Sequence, residues 1–564
     1  MSEYNNEEPL VIRSSAKPDR DSVPTIDASS TITGSRYDSV QGTILNAKDS
    51  ALGSKPQKSE DEYQQKSVGM NYARALILAS SVYFTGYYMG IMNPMGSVMA
   101  YQVFGMKTKP EMESFLGNTN LFLCMGATIS FFCVGMIADL VGRIRLLIIV
   151  EFMSLIVVMG YFLKSILAFY FVRTLSGLVV GILSGLLPII LSEMFPSSIT
   201  GVAGLFCYFS STVFTLLGWL TPFMFDESQK DMGQHYRIIF IAPAFFGLPV
   251  LILTLFLFKF GAYESPTYFL NKIKPNSEKN RAVLIANLRR WLGVVYTPED
   301  AELKIEELLF ANNVVSDGYS KEGEQEDQGV MAMFSPRYRF RFMVVIMVNI
   351  FQQLSGINFL IFLSTQLFNA LSGNGQTMTL IIGAMNIMGG VVGLLTISRF
   401  GRRFNMIYGV LIQIFGFSML IIGYHYKNNV CAIIAVCSYM LSFAMGLGGT
   451  MPIFCAEILP ATGVGIGGGI QWLFASILGK VLPILNLKIG PIWILAFFIA
   501  MMVITVFFIN YACVETFGMT REDIEIIYKG KTTGEGKSHH FSWFKFGGGG
   551  KAQKVEGGQQ LAKV

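Results

Sequence analysis

The chain has 564 residues, of which 52% are hydrophobic and only 14% charged, with a mean hydropathy of +0.49. That balance excludes an ordinary soluble domain, and the net charge of +5 gives no sign of a nucleic-acid partner. Lipid is the expected main solvent, and apolar runs of spanning length make the expected fold class an all-α membrane protein.

In chain order, residues 1–70 are rich in Ser, Asp, Glu, Lys and Pro and carry no basic start followed by an apolar core. They read as a disordered cytosolic tail and not a signal peptide. Apolar runs of spanning length, about 20 residues each, then recur at 73–95, 116–138, 146–163, 167–192, 201–224, 238–260, 342–369, 377–397, 404–424, 430–455, 463–487 and 491–513. These twelve spans divide into an N-terminal bundle (71–263), a cytosolic linker (264–340) and a C-terminal bundle (341–514). In the linker, Asn276-Ser277-Glu278 and Thr297-Pro298-Glu299-Asp300 are helix starts, and 313–330 reads as flexible. Arg143 and Arg145 lie between spans 2 and 3, and Arg399, Arg402 and Arg403 between spans 8 and 9. Short loops rich in arginine face the cytosol, which would put both termini there as well. Residues 515–564 form a mostly disordered tail, with Gly547 to Gly550 unable to build a core. Its aromatic and basic stretch Phe541 to Phe546 can touch the inner leaflet.

The seven cysteines all fall within the expected spans without metal-ligand spacing, so they read as free thiols, and no cofactor, metal or catalytic constellation is expected. The chemistry concentrates in span 7, where an apolar run from Phe342 to Phe368 is interrupted by Gln352-Gln353-Leu354-Ser355-Gly356-Ile357-Asn358. Amides at that depth must face protein or a cavity, where each offers donors and acceptors to a neutral, hydroxyl-rich solute. At about 100° per residue, positions 353 and 358 lie roughly 140° apart on an ideal helix. They share one cavity only if the helix bends, and Gly356 is the place. The competing reading makes these amides interhelical glue.

A repeat relates the two bundles. Gly185, Pro188, Glu193 and Pro196 recur in order as Gly449, Pro452, Glu457 and Pro460, and Gly142-Arg143 as Gly401-Arg402. Parallel repeats around one cavity suit a rocking carrier. With Asp139, Arg173, Glu264-Ser265-Pro266 and Glu515-Thr516, these fragments over residues 73–520 stand in the order that resembles sugar porters of the major facilitator superfamily. The Gln-Gln-Leu-Ser-Gly-x-Asn run is most similar to that of eukaryotic facilitative hexose transporters.

The resemblance implies a twelve-helix fold and a sugar site at Gln352, Gln353, Asn358 and, in span 8, Asn386. Tyr208 stands at the position of a binding glutamine, Ala444 and Pro452 replace an acid and a tryptophan, and Trp472 sits one turn before the family's tryptophan. Trp472 can cover the sugar or simply fill core or lipid-facing space. Asp139, Arg143, Arg173, Glu193, Arg402 and Glu457 would form cytosolic gate pairs; Thr200, Val464 and Ser398 thin that network and leave Glu193 to Arg143 or Arg145. Proton-linked members resemble Gly86-Tyr87 followed by aspartate, where this chain has Tyr88. The other intramembrane acid, Glu151, is expected to pair near the cytosolic surface with Arg145 close by. The expected function is therefore not enzymatic: a monomeric plasma-membrane uniporter for a hexose, glucose foremost, acting in a lipid bilayer. The alternatives are a proton-coupled hexose or polyol symporter and a non-transporting sugar sensor.

Overall fold

The computed structural model describes residues 63–224, 232–259, 263–273, 278–316, 330–372, 375–519 and 521–533, all within a compact unit that begins at Glu60. The expectations for residues 1–62, 317–329 and the tail after 533, including Phe541 to Phe546 and Gly547 to Gly550, lie outside the described residues. Helices occupy all of the expected spans. Among the described residues eleven are long and apolar enough to cross a membrane, and span 5, Ser197–Leu220, contributes the shorter apolar helix Phe206–Leu220. Among the described residues the one β-type pairing is an isolated antiparallel bridge between Gln65 and Tyr296.

Local signals set the ends. Span 2 (Lys109–Val141) starts from a capping box in which Thr108 and Glu111 satisfy each other's backbone N–H groups, with Pro110 in the first turn. It stops at Gly142, whose φ of +108° turns the chain directly into span 3, Arg143–Phe162. Span 4 (Ile166–Met194) packs along span 2, span 1 (Val68–Val103) along span 5, and span 9 (Arg402–His425) along span 10. The two bundles meet through span 2 against span 11 (Ala461–Ile489), span 5 against span 8 (Gly375–Phe400), and span 1 against span 7.

Spans 7 and 10 are not continuous helices. Span 7 is built from Arg339–Gln353 and Ile357–Ser372, joined through Gly356 at φ +92°. A Cβ there would lie 2.6 Å from Phe417 and 2.8 Å from Phe498, so only glycine fits both the conformation and the space. Freed backbone groups inside a membrane need partners. The Ser355 hydroxyl donates to the Gln352 carbonyl at 2.7 Å, and the Tyr439 hydroxyl donates to the Ser355 carbonyl at 3.0 Å. Span 10 runs Asn429–Phe443, widens into a π-helical turn over Ala444–Gly448, and resumes at Thr450–Ile458.

Between the bundles, helices Glu278–Val295 and Pro298–Ser316 follow the two anticipated start signals. Trp291 docks the first against the bundle, its indole N–H donating to the Met194 carbonyl at 2.7 Å and its ring stacking on Phe258 at 5.3 Å. Two edges of the expected tails differ from the sequence reading. Residues 63–67 are strapped to the linker: the Lys66 N–H donates to the Val295 carbonyl and the Thr297 N–H to the Gln64 carbonyl, both at 3.0 Å, and the Tyr63 hydroxyl reaches Glu307 at 2.9 Å. The C-terminal tail, expected to be mostly disordered, begins with a helix, Arg521–Thr533, that buries Ile524 and Tyr528 and pairs Glu525 with Arg337 at 2.8 Å. Its amphipathic pattern was hidden when averaged with the glycine-rich end.

Candidate functional site

The break in span 7 brings Gln353 and Asn358 together. The Asn358 amide donates to the Gln353 carbonyl oxygen at 2.5 Å, and both residues are buried, at 3% and 5% exposure for Asn358 and Gln353. An unbroken helix would have pointed them apart. Gln352, 4% exposed, donates to the Leu447 carbonyl of the π-helical turn at 2.8 Å, while its own amide oxygen has no protein partner. The Tyr208 hydroxyl, from span 5, donates to Asn386 of span 8 at 2.9 Å and so bridges the two bundles. That hydroxyl also lies 2.7 Å from where a Cβ on Gly448 would be. Leu447 and Gly448 are adjacent, so Gln352 and the Tyr208–Asn386 pair converge on one turn of span 10. Trp472 joins none of them by a hydrogen bond among the described residues; it is half-buried and packs against the apolar core.

The charged candidates form two matching clusters, one in each bundle. Arg143 bonds Glu193 through Nε at 2.9 Å and Nη2 at 3.2 Å, and also pairs with Asp139 at 2.7 Å. Arg402 bonds Glu457 through Nη2 at 2.6 Å and Nε at 3.0 Å. Each arginine opens a helix whose first N–H groups are capped by a second acid. Glu264 accepts from Ile144 at 2.8 Å and Arg145 at 3.3 Å; Glu515 accepts from Arg402 at 2.8 Å and Arg403 at 3.0 Å. Burial pushes the Glu264 carboxyl up from its ordinary range, against the pull of these backbone donors. Ser265 and Thr516 then hydrogen-bond Glu193 and Glu457 in turn. Glu264 and Glu515 stand in the sequence only as fragments of the family resemblance; their equivalence, each capping the helix that follows Gly142 or Gly401, is visible only once the clusters are assembled.

The two glycines explain why the clusters recur. A Cβ on Gly401, at φ +88°, would lie 2.6 Å from the Glu515 carboxylate, and one on Gly142 would lie 2.5 Å from that of Glu264. Gly401→Ala is therefore expected to destabilise the protein by about 1–3 kcal/mol through strain and a lost cap, read as a lower thermal unfolding midpoint than that of the parent.

Two expectations fail. Arg173 does not lie at the arginine-rich end with the gate pairs. It sits near the start of span 4, at the opposite end from Glu193, and is 0% exposed. Its Nη1 donates to the Tyr88 carbonyl at 3.3 Å, while Nε and Nη2 have no partner. Nor does Glu151 pair near the surface. It is 0% exposed and accepts hydroxyl bonds from Ser81 at 2.5 Å and Thr254 at 3.3 Å. Side chains of spans 1 and 6 fold over it, a neighbourhood that the residue's distance from Arg145 along the chain does not disclose.

A bundle of this form, with paired repeats and amides at broken helices, has a counterpart among known families. The model of the family described as sugar (and other) transporter matches residues 75–528. The chain belongs to this family of transporters. Relatives of the transporter include plastidic glucose transporter 4 of Arabidopsis thaliana, 24% identical over 509 residues that cover 87% of this chain and 86% of that protein. Facilitated glucose transporter member 5 of solute carrier family 2 from Rattus norvegicus is 24% identical over 512 residues, covering 84% and 95%. Among solved structures, the proton:xylose symporter XylE bound to 6-bromo-6-deoxy-D-glucose superposes with a TM-score of 0.66 at 19% identity, covering 82% of this chain and 99% of that one. The fold is thus that of the major facilitator superfamily, and the transporter is a multi-pass sugar carrier and not an enzyme.

Proposed function

We propose that the transporter is a facilitative hexose uniporter, with glucose as its foremost substrate, working by alternating access at the plasma membrane with both termini in the cytosol. The observation that carries the reading is the meeting of Gln353 and Asn358 at the span 7 break, with the Gln352 oxygen unpartnered beside them. A neutral amide cluster recognises hydroxyls and not a charged solute. Relatives named as glucose transporters support a hexose. Radiolabelled uptake by transporter-deficient cells, offered a panel of hexoses and polyols, tests it; uptake of polyols but no hexose would overturn the choice of substrate.

In this reading the Arg143–Glu193 and Arg402–Glu457 clusters hold the cytosolic side shut while the outer side is open. Glu193→Gln removes the charge that meets Arg143 but keeps the shape, and is expected to shift the carrier toward its inward-open form. Thiol reagents applied from each side to single cysteines placed in spans 5 and 8 should show more labelling from inside and less from outside. Unchanged labelling would assign the cluster to folding alone.

One observation favours the second reading, proton-coupled symport. Glu151 is a buried intramembrane carboxylate whose Oε2 has no protein partner. Against it, both of its hydroxyl donors belong to the same bundle, in spans 1 and 6. Arg173, beside Tyr88, has no acid as its partner among the described residues.

A further inference from the structure

The amides gathered at the break all come from the C-terminal bundle, and the N-terminal bundle's Tyr208 is already committed to Asn386. A solute held between two rocking halves needs contacts from both. Span 2 supplies an uncommitted group that the sequence reading passed over. Asn120 is 1% exposed, and neither its amide nitrogen nor its amide oxygen has a hydrogen-bond partner in the protein. It faces the other bundle: a Cβ built on Gly479 of span 11 would lie 2.9 Å from the Asn120 Cβ and 3.4 Å from the ring of Phe362. Phe362 belongs to span 7, four residues and one helical turn beyond Asn358. The adjacent cation does not use Asn120, because Lys480 donates to the Asn118 oxygen instead.

We propose that Asn120 is the N-terminal bundle's hydrogen-bonding contact to the sugar, meeting a ring hydroxyl on the side away from Gln353 and Asn358. A buried amide with both of its groups unmatched is costly to leave so. A hydroxyl, which both donates and accepts, satisfies it in the loaded carrier. The inference rests on the hexose reading and adds which hydroxyl-reading group the N-terminal half contributes.

The test compares binding of D-glucose and its monodeoxy analogues to the purified full-length transporter with binding to Asn120→Ala and Asn120→Leu. In the parent, removing the hydroxyl read by Asn120 should weaken binding about tenfold. In both variants D-glucose itself should weaken about tenfold, and that one analogue should bind as well as glucose. Asn120→Leu keeps the bulk and deletes the unmatched amide, so its ligand-free thermal midpoint should equal or exceed the parent's. The result separates a ligand contact from a structural one, since a purely structural role would lower that midpoint and leave the discrimination among analogues intact. Intact discrimination in Asn120→Leu overturns the inference while leaving the hexose reading standing. A parent that binds no hexose overturns both.

Discussion

Alanine at Gln353 or at Asn358 is expected to weaken hexose binding by about 1–3 kcal/mol, since each truncation leaves sugar hydroxyls and buried protein groups without partners. The two effects should not add. The Asn358 amide donates to the Gln353 oxygen at 2.5 Å, so removing either residue also releases the orientation of the other. A double variant should then cost much less than the sum of the singles, with a coupling of about 0.5–3 kcal/mol typical of groups in one network. Equilibrium binding to the parent, both singles and the double gives the cycle directly. The interhelical-glue reading makes a different forecast: lowered thermal midpoints with affinity unchanged in whatever protein remains folded. Gln352→Ala gives a useful contrast, because that residue spends its amide nitrogen on the Leu447 carbonyl and offers only its oxygen.

Span 7 was legible in the sequence because two constraints conflict there. A run of spanning length demands helix, and amides at 353 and 358 demand a common side; Gly356 is the residue that reconciles them, and it takes φ +92° in the structure. The repeat was legible for a similar reason, since Gly142 and Gly401 each precede an arginine at a span start. Burial of single polar residues was not legible. Glu151 and Arg173 were placed by chain distance from span ends or by their order in a motif, and neither measure reveals which helix packs over a side chain. Tyr88, Ser81 and Thr254, the residues that enclose them, lie tens of residues away. Asn120 escaped notice because Asn118-Thr119-Asn120 reads as the polar beginning of a span until span 11 is brought against it. The ends of the tails failed for want of a partner in view: residues 63–67 are ordered by the linker joint at Val295 to Thr297, which follows more than 200 residues later.

In sealed proteoliposomes with an imposed inward proton gradient, hexose is expected to rise to the outside concentration and stop. A neutral solute that crosses without an ion feels only its own concentration ratio, whatever the membrane potential. Coupling to one proton would instead let each unit of pH difference supply about 1.4 kcal/mol, enough for about tenfold accumulation. The difference between onefold and tenfold is large enough to read without resolving rates, which can drift with pH through the gate carboxylates. The structural ground for expecting equality is local. The Arg173 guanidinium donates to the Tyr88 backbone carbonyl at 3.3 Å and pairs with no acid among the described residues. Glu151 is the mid-span acid to suspect, and its contacts to Ser81 and Thr254 stay within one bundle, which gives its proton no hydrogen-bonded link to the sugar amides or to the facing half among the described residues. Glu151→Gln should accordingly leave the final sugar ratio at one. If the parent accumulates sugar and a protonophore collapses the excess, the uniport reading is wrong. If Glu151→Gln then equilibrates without accumulating, that carboxylate is the coupling group, acting from span 3.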